Sequence, residues 1–316
     1  KTGEVLAMVN SPSYNPNTRS DLQPHKLRNR AITDAYEPGS TIKPLAVIAG
    51  LEAGVIKPDD IINTSPGWMR LGGRRVSDPI NRGELTITQI LENSSNVGTA
   101  KIALATGIEK LLETYAAVGF GNDTGVAMLG ESFGVLHHRQ RWSEFEIATL
   151  SYGYGMSATT LQLAQLYAII ANGGKRIPLT IQRREGVPEG RQVLSKESAD
   201  AVLAMLESVV ANGSGRRAQV RGYRVAGKTG TSRKAIAGGY GDEYVTLFAG
   251  IAPVSDPRIA VVVTINEPSG DEYYGSEVSA PVFAEIVSNA LRVMNVPPDN
   301  LADAQLKAAG FGGSRD

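Results

Sequence analysis

The chain has 316 residues, 42% of them hydrophobic, which at a usual ~100 to 200 residues per domain is enough for one large or two modest cores. Its 32 Lys and Arg balance 32 Asp and Glu, so no net field draws it to polyanions, and nucleic acid is not an expected partner. Cysteine is absent, which excludes disulfides, Cys-ligated zinc, iron–sulfur clusters and thiol nucleophiles. His25, His137 and His138 are too few and too poorly spaced for a metal centre or a His-based triad, so no metal and no cofactor is expected.

No run approaches the ~18 to 20 apolar residues of a membrane span, and no basic-then-apolar leader opens the chain. The start, Lys1-Thr-Gly-Glu-Val-Leu-Ala-Met-Val-Asn10, sets a turn signal before a strand-like apolar run with no lead-in. It reads as a cut start and as a strand whose partner lies far along the chain. Residues Ser11 to Arg30 are polar and punctuated by Pro12, Pro16 and Pro24, a loop. After Glu37-Pro38-Gly39, apolar Leu45, Val47, Ile48, Leu51 and Val55 recur at helical spacing, and Pro44, tolerated only in a first turn, sets the helix start close to Ser40.

Lys57 to about Gly83 is irregular, with room for a short hairpin around Trp68 and Arg74-Arg75; those arginines, like Arg183-Arg184, read as solvated loop charges. Helical patterns at Thr86 to Leu91 and Val97 to Leu104 bracket Asn93-Ser94-Ser95-Asn96, a helix-to-helix turn. Further helices are expected from Thr159 to Ala171 and from Ser195 to Ala211. Strands follow at Tyr223 to Thr231, Thr246 to Ala252 and Ile259 to Asn266; the last, apolar on both faces, is expected at the centre of the sheet. A final helix, Pro281 to Asn295, offers Val282, Phe283, Ile286, Ala290 and Val293 as its buried stripe. Strands at both ends and helices between them predict an α/β fold: a mainly antiparallel sheet flanked by helices, with an inserted helical subdomain.

Ser40 and Lys43 stand three residues apart at a helix start, about 5 to 6 Å between Cβ atoms on one face. Lys43 is a candidate base for Ser40 if burial or a second cation strips its proton, and the helix N-terminus offers N–H groups to a forming oxyanion. Such a pair is more often a capping serine beside a surface lysine. Here it is the only Ser-x-x-Lys in the chain, and it is followed by Ser94-Ser95-Asn96 and by Lys228-Thr229-Gly230-Thr231. Ser-x-x-Lys, Ser-x-Asn and Lys-Thr-Gly together mark class A β-lactamases and penicillin-binding proteins. Lys1-Thr2-Gly3 and Ser13-Tyr14-Asn15 spell two of these motifs as well, but both precede the nucleophile.

The sequence resembles the transpeptidase domain of class B penicillin-binding proteins, and within them the division-specific type, penicillin-binding protein 3 of Gram-negative bacteria. The likeness is carried by Tyr36-Glu-Pro-Gly-Ser-Thr-Ile-Lys-Pro44, Asn93-Ser-Ser-Asn-Val-Gly98, Tyr152-Gly-Tyr-Gly155 with Thr160-Leu-Gln-Leu-Ala164, Gly227-Lys-Thr-Gly-Thr231 and Val278-Ser-Ala-Pro-Val-Phe283. The resemblance implies the serine β-lactamase/penicillin-binding transpeptidase fold over residues 1–297, with a sheet subdomain from about 1–56 and 222–297, a helical subdomain from about 57–221, and a flexible tail at 298–316. It implies Ser40 as the acylated nucleophile, Lys43 as its base, Ser94 as proton relay, Asn96 on the substrate amide, and Lys228 as the second cation. Thr229, Gly230 and Thr231 would line the substrate carboxylate, and the Ser40 and Thr231 N–H groups the oxyanion hole.

Arg233, Tyr244, Tyr273, Tyr274, Trp68 and Phe283 resemble residues of the substrate cleft. The implied activity is a serine-type DD-transpeptidase that crosslinks septal peptidoglycan through its stem peptides and is trapped by β-lactam antibiotics. The implied setting is a periplasmic domain on an inner-membrane anchor, with a membrane glycan polymerase and other division proteins as partners through parts outside this chain. A serine β-lactamase, a DD-carboxypeptidase and a non-catalytic β-lactam sensor or division scaffold remain as alternatives. The first lacks its Glu-x-x-x-Asn segment here, since no Glu between Glu109 and Glu207 has Asn at that spacing.

Overall fold

A computed structural model of the chain describes residues 1–18 and 22–300. A 3₁₀ turn, Gly39–Ile42, runs into helix α1 (Lys43–Glu52), so the α-helix opens at Lys43 and Pro44 sits in its first turn, where its missing N–H is no loss. A hairpin of β1 (Trp68–Leu71) and β2 (Arg74–Ser77) precedes α2 (Ile87–Glu92), α3 (Asn96–Thr106), α4 (Ile108–Val118) and α5 (Glu144–Ser151). Then come α6 (Thr160–Ala171) and α7 (Lys196–Ala211), the strands β3 (Ala226–Ile236), β4 (Gly239–Ala252) and β5 (Ile259–Asn266), and α8 (Ser279–Val293). Thr86, Ser143 and Thr159 each start a helix through a reciprocal capping box with Gln89, Glu146 and Gln162.

The three long strands form an antiparallel sheet in the order β5-β4-β3, so β5 lies at an edge, not at the centre. Its two apolar faces have another cause. Ala260 and Val262 pack into the core that holds Leu163, Leu166 and Ile170 of α6, while Ile259, Val261 and Val263 pack with Phe283, Val287 and Leu291 of α8. A strand covered by a helix on each face needs no strand on each side to be apolar throughout.

The buried stripe of α8 is Ala280, Phe283, Val287 and Leu291; Val282, Ile286 and Val293 are exposed, contrary to expectation. Phe283 packs on Phe248 with ring centroids 4.6 Å apart and planes tilted by 51°, and it is fully buried, so it belongs to the core and not to a cleft. The opening segment also departs from expectation. Among the described residues its strand pairing is an isolated parallel bridge, Glu4 with Thr180; Val5 and Met8 pack against the cluster of Ile32 and Leu161, while Leu6 and Val9 face outward. Of the expected tail, Asp299 accepts the Arg224 N–H at 2.7 Å and the Ser255 hydroxyl at 2.7 Å, so that start of it is pinned; residues 301–316 lie outside the described residues.

Candidate active site

Ser40 sits in the 3₁₀ turn because its neighbours leave the chain little choice. Gly39 takes a φ of 54°, and its N–H donates to Gly153 O at 3.3 Å. A Cβ on Gly153 would stand 2.2 Å from Gly39 O, so glycine at 153 is what lets the two backbones meet. On the other side, Ser232 Oγ donates to Glu37 O at 2.8 Å, and Thr231 O lies 3.4 Å from where a Gly39 Cβ would be, which runs the turn alongside β3. Ser40 is only partly buried, and its hydroxyl makes no hydrogen bond among the described residues.

One turn further on, Lys43 is fully buried. Its Nζ donates to Ser94 O at 2.5 Å, Asn96 Oδ1 at 2.8 Å and Ser94 Oγ at 3.2 Å, which uses all three ammonium protons. Lys228, equally buried, approaches the same hydroxyl from β3: Nζ donates to Ser94 Oγ at 3.0 Å and to Thr229 O at 3.3 Å. Burial, and after it the positive charge of Lys228, drive the Lys43 amine well below the usual lysine range, against the opposing pull of the Asp78 carboxylate. Burial alone pushes Lys228 down to about 7. An amine that gives up its proton near neutrality is what a general base for a serine requires.

The Ser94 turn is held by residues that no motif announces. Ser94 has a φ of 54° just beyond the cap of α2, a left-handed position that turns both its carbonyl and its hydroxyl towards Lys43. Asp78 grips the start of α3: one carboxylate oxygen accepts the N–H groups of Asn96 at 2.6 Å and Val97 at 3.0 Å, and the other accepts the Ser95 hydroxyl at 2.5 Å. Ser77 O accepts from Asn96 Nδ2 at 3.1 Å. Asp78 thus orders the turn and bears on the charge of Lys43, yet in the sequence it is an acid before a proline with no spacing to mark it.

Thr229, Gly230 and Thr231 lie on β3 opposite Phe248, Leu247 and Thr246 of β4, and the other side of β3 is a free sheet edge. Thr229 Oγ1 donates to Ser214 Oγ at 3.3 Å, and Thr231 Oγ1 accepts the Gly275 N–H at 2.9 Å; Ser214 is a further neighbour the motifs did not reveal. Arg233, Tyr244, Tyr273 and Tyr274 come together as one cluster: Arg233 Nε donates to the Tyr244 hydroxyl at 3.3 Å, Tyr244 stacks on Tyr273 at 4.4 Å, and Tyr273 meets Tyr274 at 4.5 Å. Trp68 is not part of it. It stands on β1 opposite Ser77, whose carbonyl accepts from the Asn96 side chain.

Glu37, three residues before Ser40, has no spacing in the sequence that marks it as a site residue. Its Oε1 accepts the Gly155 N–H at 2.8 Å and the Tyr240 hydroxyl at 3.2 Å, and burial raises its carboxyl above the usual range.

A serine in a tight turn, two buried lysines meeting on a second serine, and a strand edge alongside bring the three sequence motifs into one site. The chain belongs to the penicillin binding protein transpeptidase domain family, which it matches over residues 1–288. It is 45% identical over 302 residues to peptidoglycan D,D-transpeptidase FtsI of Escherichia coli K12, covering 95% of this chain and 51% of that protein. It is 43% identical over 306 residues to PbpC of Pseudomonas aeruginosa, a probable peptidoglycan D,D-transpeptidase, covering 96% of this chain and 54% of that protein. The chain spans about half the length of the curated relatives it matches. Among solved structures it resembles the apo transpeptidase domain of penicillin-binding protein 3 from Burkholderia pseudomallei, with a TM-score of 0.83 and 39% identity over 86% of this chain and 83% of that one. The fold and family expected from the three motifs therefore hold. Among the described residues, no helix is long and apolar enough to cross a membrane.

Proposed function

We propose that this chain is a serine DD-transpeptidase domain that crosslinks peptidoglycan stem peptides. The observation that carries the reading is the convergence of Lys43, which stands one turn after Ser40, and Lys228 on Ser94 Oγ. In the first half-reaction Lys43 Nζ takes the Ser40 hydroxyl proton as Oγ attacks the carbonyl carbon of the penultimate D-Ala. The tetrahedral oxyanion rests on the Ser40 and Thr231 N–H groups. The C–N bond to the terminal D-Ala then breaks, and the departing amine collects a proton passed from Lys43 through the Ser94 hydroxyl. The ester on Ser40 remains.

In the second half-reaction the side-chain amine of a neighbouring stem attacks that ester, loses its proton along the same path, and returns Ser40 as the hydroxyl. Asn96 holds the donor peptide amide, while Lys228, Thr229 and Thr231 take its terminal carboxylate at the β3 edge, where an extended peptide can add as a strand. The Arg233 and Tyr244 cluster with Tyr273 and Tyr274 forms the far wall of this groove. A β-lactam enters as a mimic of D-Ala-D-Ala, and its opened ring stays attached and blocks the acceptor. In the cell the domain works in the periplasm at the division site, on a protein anchored in the inner membrane and beside a membrane glycan polymerase.

Intact-mass spectrometry of the protein with benzylpenicillin, beside Ser40→Ala, tests the reading. A lasting adduct of the whole drug on the parent alone is expected. Drug consumption with unmodified protein would make the chain a β-lactamase, and intact drug with no adduct would leave a non-catalytic scaffold.

A further inference from the structure

Arg70, Arg74 and Arg75 stand on one hairpin, and among the described residues no carboxylate pairs with any of them, whereas Arg28, Arg139, Arg217 and Arg224 each meet one. The register sets Arg70 directly opposite Arg75, and Trp68 opposite Ser77, on the face away from buried Leu71 and Val76. Like charges placed directly across a strand pair oppose its formation. The hairpin forms with that repulsion in place. Arg75 lies over the Trp68 ring at 4.9 Å on this face, and a guanidinium can take a carboxylate in two parallel hydrogen bonds; Arg74, opposite Leu71, is on the other face and lies over Phe145 at 5.1 Å. The face is also tied to the reacting centre: Ser77 O holds the Asn96 side chain, and Asp78, the next residue, holds the Asn96 N–H.

We propose that the outer face of this hairpin, Arg70, Arg75 and Trp68, binds the acidic stem peptide that serves as acceptor. The proposal rests on the transpeptidase reading, in which two stems must be present at once. The donor occupies the β3 edge, so the acceptor needs its own dock on the opposite side of Ser94. It brings free carboxylates beside its nucleophilic amine, and guanidinium groups would hold the carboxylates while leaving the amine unbound, to be deprotonated at the reacting centre before it attacks.

The test is calorimetric titration of a soluble stem tripeptide, with its carboxylates free, into benzylpenicillin-treated protein whose donor edge is filled. The same titration is run on the Arg70→Gln/Arg75→Gln double variant, on Arg74→Gln, and with the tripeptide amidated. Binding should weaken about tenfold in the double variant, a loss of about 1.4 kcal/mol, and should lose most of its salt dependence. Amidation should weaken binding to the parent alike, and Arg74→Gln should have a smaller effect. The rate of penicillin adduct formation should match the parent in all variants, which also shows that they are folded. Equal binding to parent and double variant, no binding to the parent, or preference for polyglutamate over the stem peptide overturns the proposal. A parent that takes no adduct in the pretreatment overturns the transpeptidase reading itself, a result distinct from these.

Discussion

Lys43 and Lys228 aim their nitrogens at one oxygen, Ser94 Oγ, at 3.2 and 3.0 Å, and neither is reached by solvent. A hydroxyl can accept from both only while its own proton points elsewhere. Once either amine is neutral, Ser94 can donate to it, and a proton can pass along the three groups. Burial disfavours the charged form of both amines, and the positive charge of Lys228 disfavours that of Lys43 further.

The acid limb of acylation should therefore move in opposite directions with two substitutions. Lys228 lowers the Lys43 pKa and Asp78 raises it. Lys228→Met removes a depressing cation, so the Lys43 pKa rises and the limb shifts to higher pH. Asp78→Asn removes the opposing carboxylate, so the limb shifts to lower pH, with some loss of rate as the Ser94 turn loosens. The second-order rate of labelling by a fluorescent penicillin across the limb decides it. Shifts of the same sign in the two variants would sink the assignment of Lys43 as base.

Stability should depend on pH through Lys228 as well. Its folded pKa is about 7 against 10.5 unperturbed, so between those values the unfolded chain holds the proton that the folded one has lost. Stability then rises with pH across this window, and the penalty of burying the cation is fully present below about 7. Each unit of depression is worth about 1.4 kcal/mol. Lys228→Met should raise the melting temperature most at neutral and acid pH, with the gain shrinking towards 10.5, while acylation slows but stays measurable. A variant less stable by the same amount at every pH would mean that the hydrogen bonds to Ser94 and Thr229 outweigh the buried charge.

The site was legible where its chemistry depends on short spacing. Ser40 with Lys43, Ser94 with Asn96, and Lys228 to Thr231 are each a few residues long, and each fell on the helix start, interhelical turn or strand expected of it. Asp78 was not legible, because its three hydrogen bonds exist only once β2 lies against the start of α3. Phe283 was read in two ways, as core and as cleft, and only the packing of α8 on β4 decides for the core. The stripe on that helix was misjudged by one position, enough to turn Val282 and Ile286 outward. The apolar run of β5 reported that both faces are covered but not which strands pair with it, since periodicity says nothing about neighbours in the sheet. Arg74 and Arg75 read as loop charges because the register that opposes Arg75 to Arg70 is a property of the folded hairpin.

Ser94 separates strain from chemistry in one position. Its φ of 54° is a conformation that disfavours a side chain by about 1 kcal/mol or more, and glycine adopts it freely. The site holds serine there because the hydroxyl must stand between the two lysines. Ser94→Ala removes the hydroxyl and keeps the strained backbone, whereas Ser94→Gly removes both. Penicillin acylation should fall alike in the two variants, by about 100-fold, in line with the loss of a proton-transfer group. Urea denaturation should set them apart, with Ser94→Gly more stable than Ser94→Ala by about 1 kcal/mol. Near-parental acylation in either variant would remove Ser94 from the proton path. Equal stability of the two would mean that the left-handed turn is held without strain, and that the serine is kept at this position for its hydroxyl against no backbone resistance.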